Sequence, residues 1–146
     1  MHLCLACHAE RDVWDGGYAS IDQVLPGSME AMDGIRDHSG ITPRIAWCVT
    51  EDVAKNRPRP LKSVLDLGHE TGIGSHFPGE TGTVEHGQNL NFANLDRFDP
   101  WFPELCRQIV DAGFPPPRTH VSWMFAYRDT MTGALAWAGI SVDCSV

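Results

Sequence analysis

Short apolar runs alternate with stretches of helical spacing along this chain. Leu3 to Cys7 is an apolar run that gives way abruptly to His8-Ala9-Glu10-Arg11-Asp12. Ile41 to Thr50 has a continuous apolar centre from Ile45 to Val49, the mark of a strand buried on both faces. Ile73 to His76 reads as a third strand, small enough to pass through a crowded sheet, Thr119 to Trp123 as a fourth and Ile140 to Val146 as a fifth. Between them the apolar period changes to that of helices. From Pro26 a helix is expected, with Met29, Met32 and Ile35 on one side, Glu30 and Asp33 on another, and a stop at Ser39-Gly40. Pro58 and Pro60 open a short helix from Leu61 to Leu67, closed by Gly68. The clearest helical stripe is Phe102, Leu105, Cys106, Ile109 and Val110, with Asp99 as N-cap, Pro100 at the first helical position and Gly113 at the end. A last helix runs from about Asp129 through Met131, Leu135 and Ala138 to Gly139.

Strand and helix thus alternate four times before a final strand, which predicts an α/β fold with a parallel sheet and right-handed crossovers. The carboxyl ends of such strands carry the chemistry, because the loops there converge over a supporting core. Phe77 to Phe98 is Gly- and Asn-rich without clear periodicity, and loops of this length are commonly functional. At 146 residues the chain is one domain, residues 1–146, but short for a complete (β/α) barrel of ~250 residues. Ending directly after its fifth strand, it reads as the first part of a larger barrel.

Charge and cysteine content narrow the partners. With 11 basic against 19 acidic residues the net charge is −8, and the sole basic run, Lys55-Asn56-Arg57-Pro58-Arg59, is a solvated loop, which argues against a nucleic-acid partner. No apolar stretch approaches the ~20 residues needed to span a bilayer, and Met1 to Cys7 lacks the basic and long apolar regions of a signal peptide. The expectation is a soluble, cytoplasmic protein with no membrane contact. Five cysteines, Cys4, Cys7, Cys48, Cys106 and Cys144, make an odd count suited to buried free thiols. Cys4 and Cys7 have C-x-x-C spacing, but no second pair completes a zinc site.

Candidate chemistry gathers at the predicted strand ends. His8, Glu10 and Asp12 alternate, so on an extended strand their side chains share one face. One His and two carboxylates can hold a divalent metal, or one carboxylate can act as general base beside a metal held by the others. His76, at the third strand end, with Glu80 or His86, could complete that set; the competing reading is solvated loop residues. Arg118, His120 and Trp123 surround the fourth strand, and Trp123 to Tyr127 is aromatic-rich, which suits stacking on a sugar ring but equally suits packing. A serine nucleophile is disfavoured: there is no Gly-x-Ser-x-Gly elbow, and in Gly72-Ile73-Gly74-Ser75-His76 the serine falls before the strand end. No phosphate loop or dinucleotide fingerprint occurs.

Four segments together carry a resemblance to a known family: His8-Ala9-Glu10-Arg11-Asp12, Gly68-His69-Glu70-Thr71-Gly72-Ile73-Gly74-Ser75-His76, Pro117-Arg118-Thr119-His120-Val121-Ser122-Trp123 and Ala138-Gly139-Ile140-Ser141-Val142-Asp143-Cys144-Ser145. They resemble the motifs of the polysaccharide deacetylases (carbohydrate esterase family four and relatives), in a divergent form, across nearly the whole chain. The resemblance implies a deformed (β/α) barrel, here about its first five strands, and metal-assisted hydrolysis of an N- or O-acetyl group on a sugar. It implies Glu10 or Asp12 as base and metal ligand and His76 as a ligand of a divalent, zinc-like metal, with His8 and either Glu80 or His86 completing the set, and Arg118 or His120 in the place of the family's third-motif arginine; these two, with Trp123, are the candidate substrate-binding residues. The chain departs from the family where His8, Glu10 and Asp12 replace paired aspartates, and where Pro78 and Glu80 stand at the positions of the second metal histidine. The alternative is a catalytically inactive deacetylase-like domain that binds carbohydrate or serves a structural role.

Overall fold

Among the residues described, 5–10, 17–75, 98–122 and 127–145, the apolar runs become five strands. This computed structural model places β1 (Leu5–Ala9), β2 (Ile45–Val49), β3 (Glu70–Ser75), β4 (Thr119–Ser122) and β5 (Val142–Asp143) side by side in chain order. Every neighbouring pair is parallel. Parallel neighbours cannot be joined by a hairpin, so each link must cross over through helix. A π-helical turn (Ser20–Val24) and α1 (Leu25–Ser39) connect β1 to β2; α2 (Glu51–Asn56) and α3 (Pro58–Asp66) connect β2 to β3. α4 (Phe98–Asp111) precedes β4, and α5 (Met131–Trp137) leads to β5. A strand order that never reverses is that of a barrel wall, and the expected α/β architecture is the one observed: five parallel strands of a half-barrel.

Register assigns the two faces. Ala9, Val49 and Ile73 lie abreast, and Ile73 is in turn abreast of His120 and Asp143. That face meets the helices: Val49 and Ile73 join one core with Val53 of α2, Leu61 and Val64 of α3, Phe102, Leu105 and Ile109 of α4, and Met131 and Leu135 of α5. Each such side chain contributes about 1.5–3 kcal/mol on burial, which is why the short strands hold together. The opposite, inward face carries small residues, Ala6, Ala46, Cys48, Gly72, Gly74 and Thr119, as side-chain alternation dictates.

Several boundaries differ from the sequence expectation for identifiable reasons. β2 starts at Ile45 instead of Ile41, because Pro43 has no N–H for the ladder. The segment Thr50-Glu51-Asp52, directly after β2, opens α2: the Thr50 hydroxyl accepts from the Val53 N–H at 3.5 Å, and Glu51 and Asp52 occupy the first turn, where the helix dipole favours anions. α3 begins at Pro58, earlier than Leu61, and α4 at Phe98, so Asp99 lies within the helix instead of capping it. Gly40 ends α1 as expected, with φ 69° and its N–H on the Arg36 carbonyl at 2.7 Å. β5 is only two residues long, and the long loop expected over Phe77 to Phe98 falls outside the described residues but for Phe98. No described helix is long and apolar enough to cross a membrane. Cys7, Cys48, Cys106 and Cys144 are free thiols, and Cys4 lies outside the described residues.

Candidate functional site

At the carboxyl end of β1 the chain passes through His8 and Glu10, both half-buried and both on the inward face, opposite Ala9. Glu10 Oε2 is shut off from solvent. The strand end is pinned to its neighbour by the Thr50 N–H, which donates to the Ala9 carbonyl at 3.3 Å. Beside it Tyr18 donates its hydroxyl proton to Asp52 at 2.7 Å, while the Arg57 guanidinium sits 4.2 Å over the Tyr18 ring and 3.4 Å from Asp22. Asp52 also accepts from Asn56 at 2.9 Å. This acidic residue after β2 is therefore committed to joining α2 to the segment before α1.

Of the residues expected to hold a metal, His8 is described, and Asp12, His76 and Glu80 lie outside the described residues, as do His86 and Trp123. Among the described residues no three His, Cys, Asp or Glu side chains converge as a metal-binding group. A zinc centre takes three or four protein ligands. His8 and Glu10, two residues apart on one face of a strand, are compatible with contributing donors to such a set, and the remainder has to come from Asp12, His76 and Glu80.

Arg118 and His120 sit apart from that strand end. Arg118 is exposed just before β4, at its amino end, where its carbonyl accepts from Ser141 N at 2.8 Å and Val142 N at 3.1 Å. His120 is fully buried on the helix-facing side, its ring 5.2 Å from that of Phe102 in an edge-on arrangement. Both ring nitrogens are engaged: Nε2 lies 2.7 Å from Ser75 Oγ and Nδ1 lies 3.0 Å from Asp143 Oδ1. Asp143 Oδ1 also accepts from the Ser145 hydroxyl at 2.6 Å and the Ser145 N–H at 3.0 Å, and Ser145 Oγ in turn accepts from Ser122 N at 2.9 Å. As placed, His120 has no nitrogen left for a sugar.

This four-residue network across β3, β4, β5 and the segment after it is the arrangement that sequence reasoning missed. The signal available was a histidine and an aspartate at helix-facing register positions of apolar strands, where a buried polar group requires partners. Burial alone would push the Asp143 carboxyl up, but the hydrogen bonds from His120 and Ser145 outweigh it and hold the group below its ordinary value. Serine, histidine and aspartate thus follow one another in the order of an acyl-transfer triad. Ser75 and His120 are both 0 % exposed, however, and the His120 ring packs against Phe102, so no substrate carbonyl can reach the hydroxyl.

On the inward face, burial pushes the Cys48 thiol up to about 12, which removes it as a nucleophile at neutral pH. Toward the amino ends of the strands is a cavity of about 430 Å³ whose lining includes Ala6, Arg44, Ala46, Glu70, Thr119 and Cys144. Within it Thr119 Oγ1 donates to Glu70. Burial, then the neighbouring Arg44, pull the His69 imidazole down, consistent with a neutral ring whose Nδ1 accepts from Ile45 N at 3.1 Å.

No protein-family model matches the chain, and no curated protein matches it in sequence. Among solved structures it is similar to a family 4 carbohydrate esterase from Streptomyces lividans, determined in complex with acetate, with a TM-score of 0.64 at 12 % identity. The likeness covers 97 % of this chain and 60 % of that one. The class defined by this comparison is that of the deacetylase-type barrel, of which the five described strands form the corresponding part. The chain therefore spans about three fifths of the length of the esterase chain it matches, with the same fold.

Proposed function

We propose that this chain belongs to a metal-dependent hydrolase that removes N- or O-acetyl groups from a carbohydrate. The observation carrying the reading is the fold: 97 % of the chain follows that of a carbohydrate esterase, and the motif-like segments of the sequence fall at the carboxyl ends of β1 and β3 and along β4 and β5. In this reading Asp12, His76, Glu80 and His8 hold a divalent metal, zinc by the nature of the donor set. When bound, such an ion polarises an acetyl carbonyl and lowers the pKa of its water toward ~7. Glu10, half-buried at the end of β1, or Asp12 takes up the proton lost by the attacking water at a carboxylate oxygen. Trp123 offers a stacking surface for the sugar. The acidic net charge suits a neutral or cationic glycan better than a nucleic acid.

The second reading is a domain of the same fold that binds carbohydrate without hydrolysing it. Metal content separates the two. Purified protein carrying zinc in a one-to-one ratio, with zinc lost in His76→Ala, supports the hydrolase, and acetate release from acetylated oligosaccharides should then fall ~10²-fold or more in Glu10→Gln or Asp12→Asn. A parent protein that takes up no zinc overturns the hydrolase reading and leaves the binding domain.

A further inference from the structure

Ser75, His120 and Asp143 lie on three consecutive strands and are joined on the helix-facing side, Ser75 and His120 closed off from solvent and Asp143 half-buried. We propose that they form a positioning relay of fixed proton order, which pins the end of β3 to β4 and β5 and thereby sets where the chain departs toward His76. The inference rests on the metal-site reading above, because His76 is the residue that directly follows Ser75. It goes beyond that reading by giving a role to residues that touch neither metal nor substrate.

For a neutral ring the chemistry of the partners leaves one proton arrangement. An ionised carboxylate can only accept, and Asp143 Oδ1 receives the Ser145 N–H, the Ser145 hydroxyl and the His120 Nδ1. His120 Nδ1 must then carry its proton. In a neutral ring Nε2 is consequently the acceptor, so the Ser75 hydroxyl, 2.7 Å away, is the donor. The direction Ser75 to His120 to Asp143 is set from the acidic end. Ser145 extends the same network to the backbone of β4 through Ser122 N.

Each member comes from a different strand, so the relay is a lateral tie that ordinary ladder hydrogen bonds do not supply. The ladder fixes spacing and register, whereas a side-chain bond beneath the sheet resists rotation of the last residue of β3. A buried network of this kind is sensitive to the loss of any member, because its remaining polar atoms have no water to turn to. The edge of Phe102 against the imidazole restrains the ring from a second side. Ser75 and His120 are positioning residues and not catalytic ones, since both are 0 % exposed.

The test uses the full chain and two readouts. Nitrogen-detected NMR of the parent should show His120 as the Nδ1–H tautomer, with a proton that exchanges slowly. Zinc affinity, read by competition with a chelator, should weaken about 10-fold in Ser75→Ala while the far-ultraviolet dichroism is retained, and Ser75→Thr, which keeps the hydroxyl, should recover most of it. Equal zinc affinity in Ser75→Ala and the parent overturns the relay and leaves the metal reading standing. A parent that binds no zinc overturns the metal reading, and the positioning role falls with it. If Ser75→Ala does not fold, the tautomer decides: an Nε2–H imidazole in the parent overturns the relay even where zinc binds.

Discussion

Gly72, in the middle of β3, has no room for even a methyl group: a Cβ built there would lie 2.7 Å from Cys48 Sγ and 2.7 Å from the Thr119 carbonyl oxygen. The thiol could rotate away, but the carbonyl belongs to the backbone of β4 and cannot move without moving the strand. Gly72→Ala should therefore destabilise the protein by about 1–3 kcal/mol, seen as a lower urea midpoint at unchanged m. Asp143 provides a second test at the same scale. Its carboxyl is held below the ordinary value in the folded chain, so its stabilising contribution is present above the unfolded value of ~3.9 and is lost as the pH falls through the folded one. Urea unfolding at pH 7 and pH 3 should show a larger acid loss in the parent than in Asp143→Asn. An identical loss in the two proteins would mean that other carboxylates govern the acid limb.

At the scale of elements, the six-residue helix α2 depends on its N-cap. It has too few turns for propensity to sustain it, and Thr50, itself buried, receives the Val53 N–H and donates its own N–H to Ala9 across the sheet. Thr50→Ala should cost about 1 kcal/mol, measurable as a shift in the thermal midpoint. The same helix shows what the amino-acid order conveys and what it does not. β2 was legible because a strand covered on both faces must be continuously apolar, and Ile45 to Val49 is. α2 was not, because two turns contain no period to read, only a cap that looks like the end of a strand. The π-helical turn before α1 starts without any side-chain cap, so it too left no mark. For the candidate site, the alternation of His8 and Glu10 was enough to place both on one face, and the strand register makes that face the inward one. The link from His120 to Ser75 spans 45 residues and that to Asp143 spans 23, contacts that exist only once strand register is known. His120 consequently reads in sequence as a sugar-binding residue, when register turns it toward the helices. Asp12, His76, Glu80 and Trp123 lie outside the described residues, so their roles stay with the proposal.

For the whole molecule, the proposed metal centre and the acidic surface predict responses to zinc that can be told apart. A ligand that binds only the folded chain stabilises it in proportion to the logarithm of its concentration, by about 2.7 kcal/mol at 100 times its Kd. For a chain of this size that corresponds to a rise in Tm of roughly 5–10 °C. A net charge of −8 also attracts divalent cations diffusely, and that attraction weakens as the Debye length shrinks to ~8 Å at 0.15 M salt. A shift that saturates at one zinc per chain, persists at 0.15 M salt and vanishes in His76→Ala belongs to a site that includes His76. A shift that grows without saturation, fades with salt and survives in His76→Ala belongs to the surface, and with it the case for hydrolysis gives way to the domain that binds sugar without cleaving it.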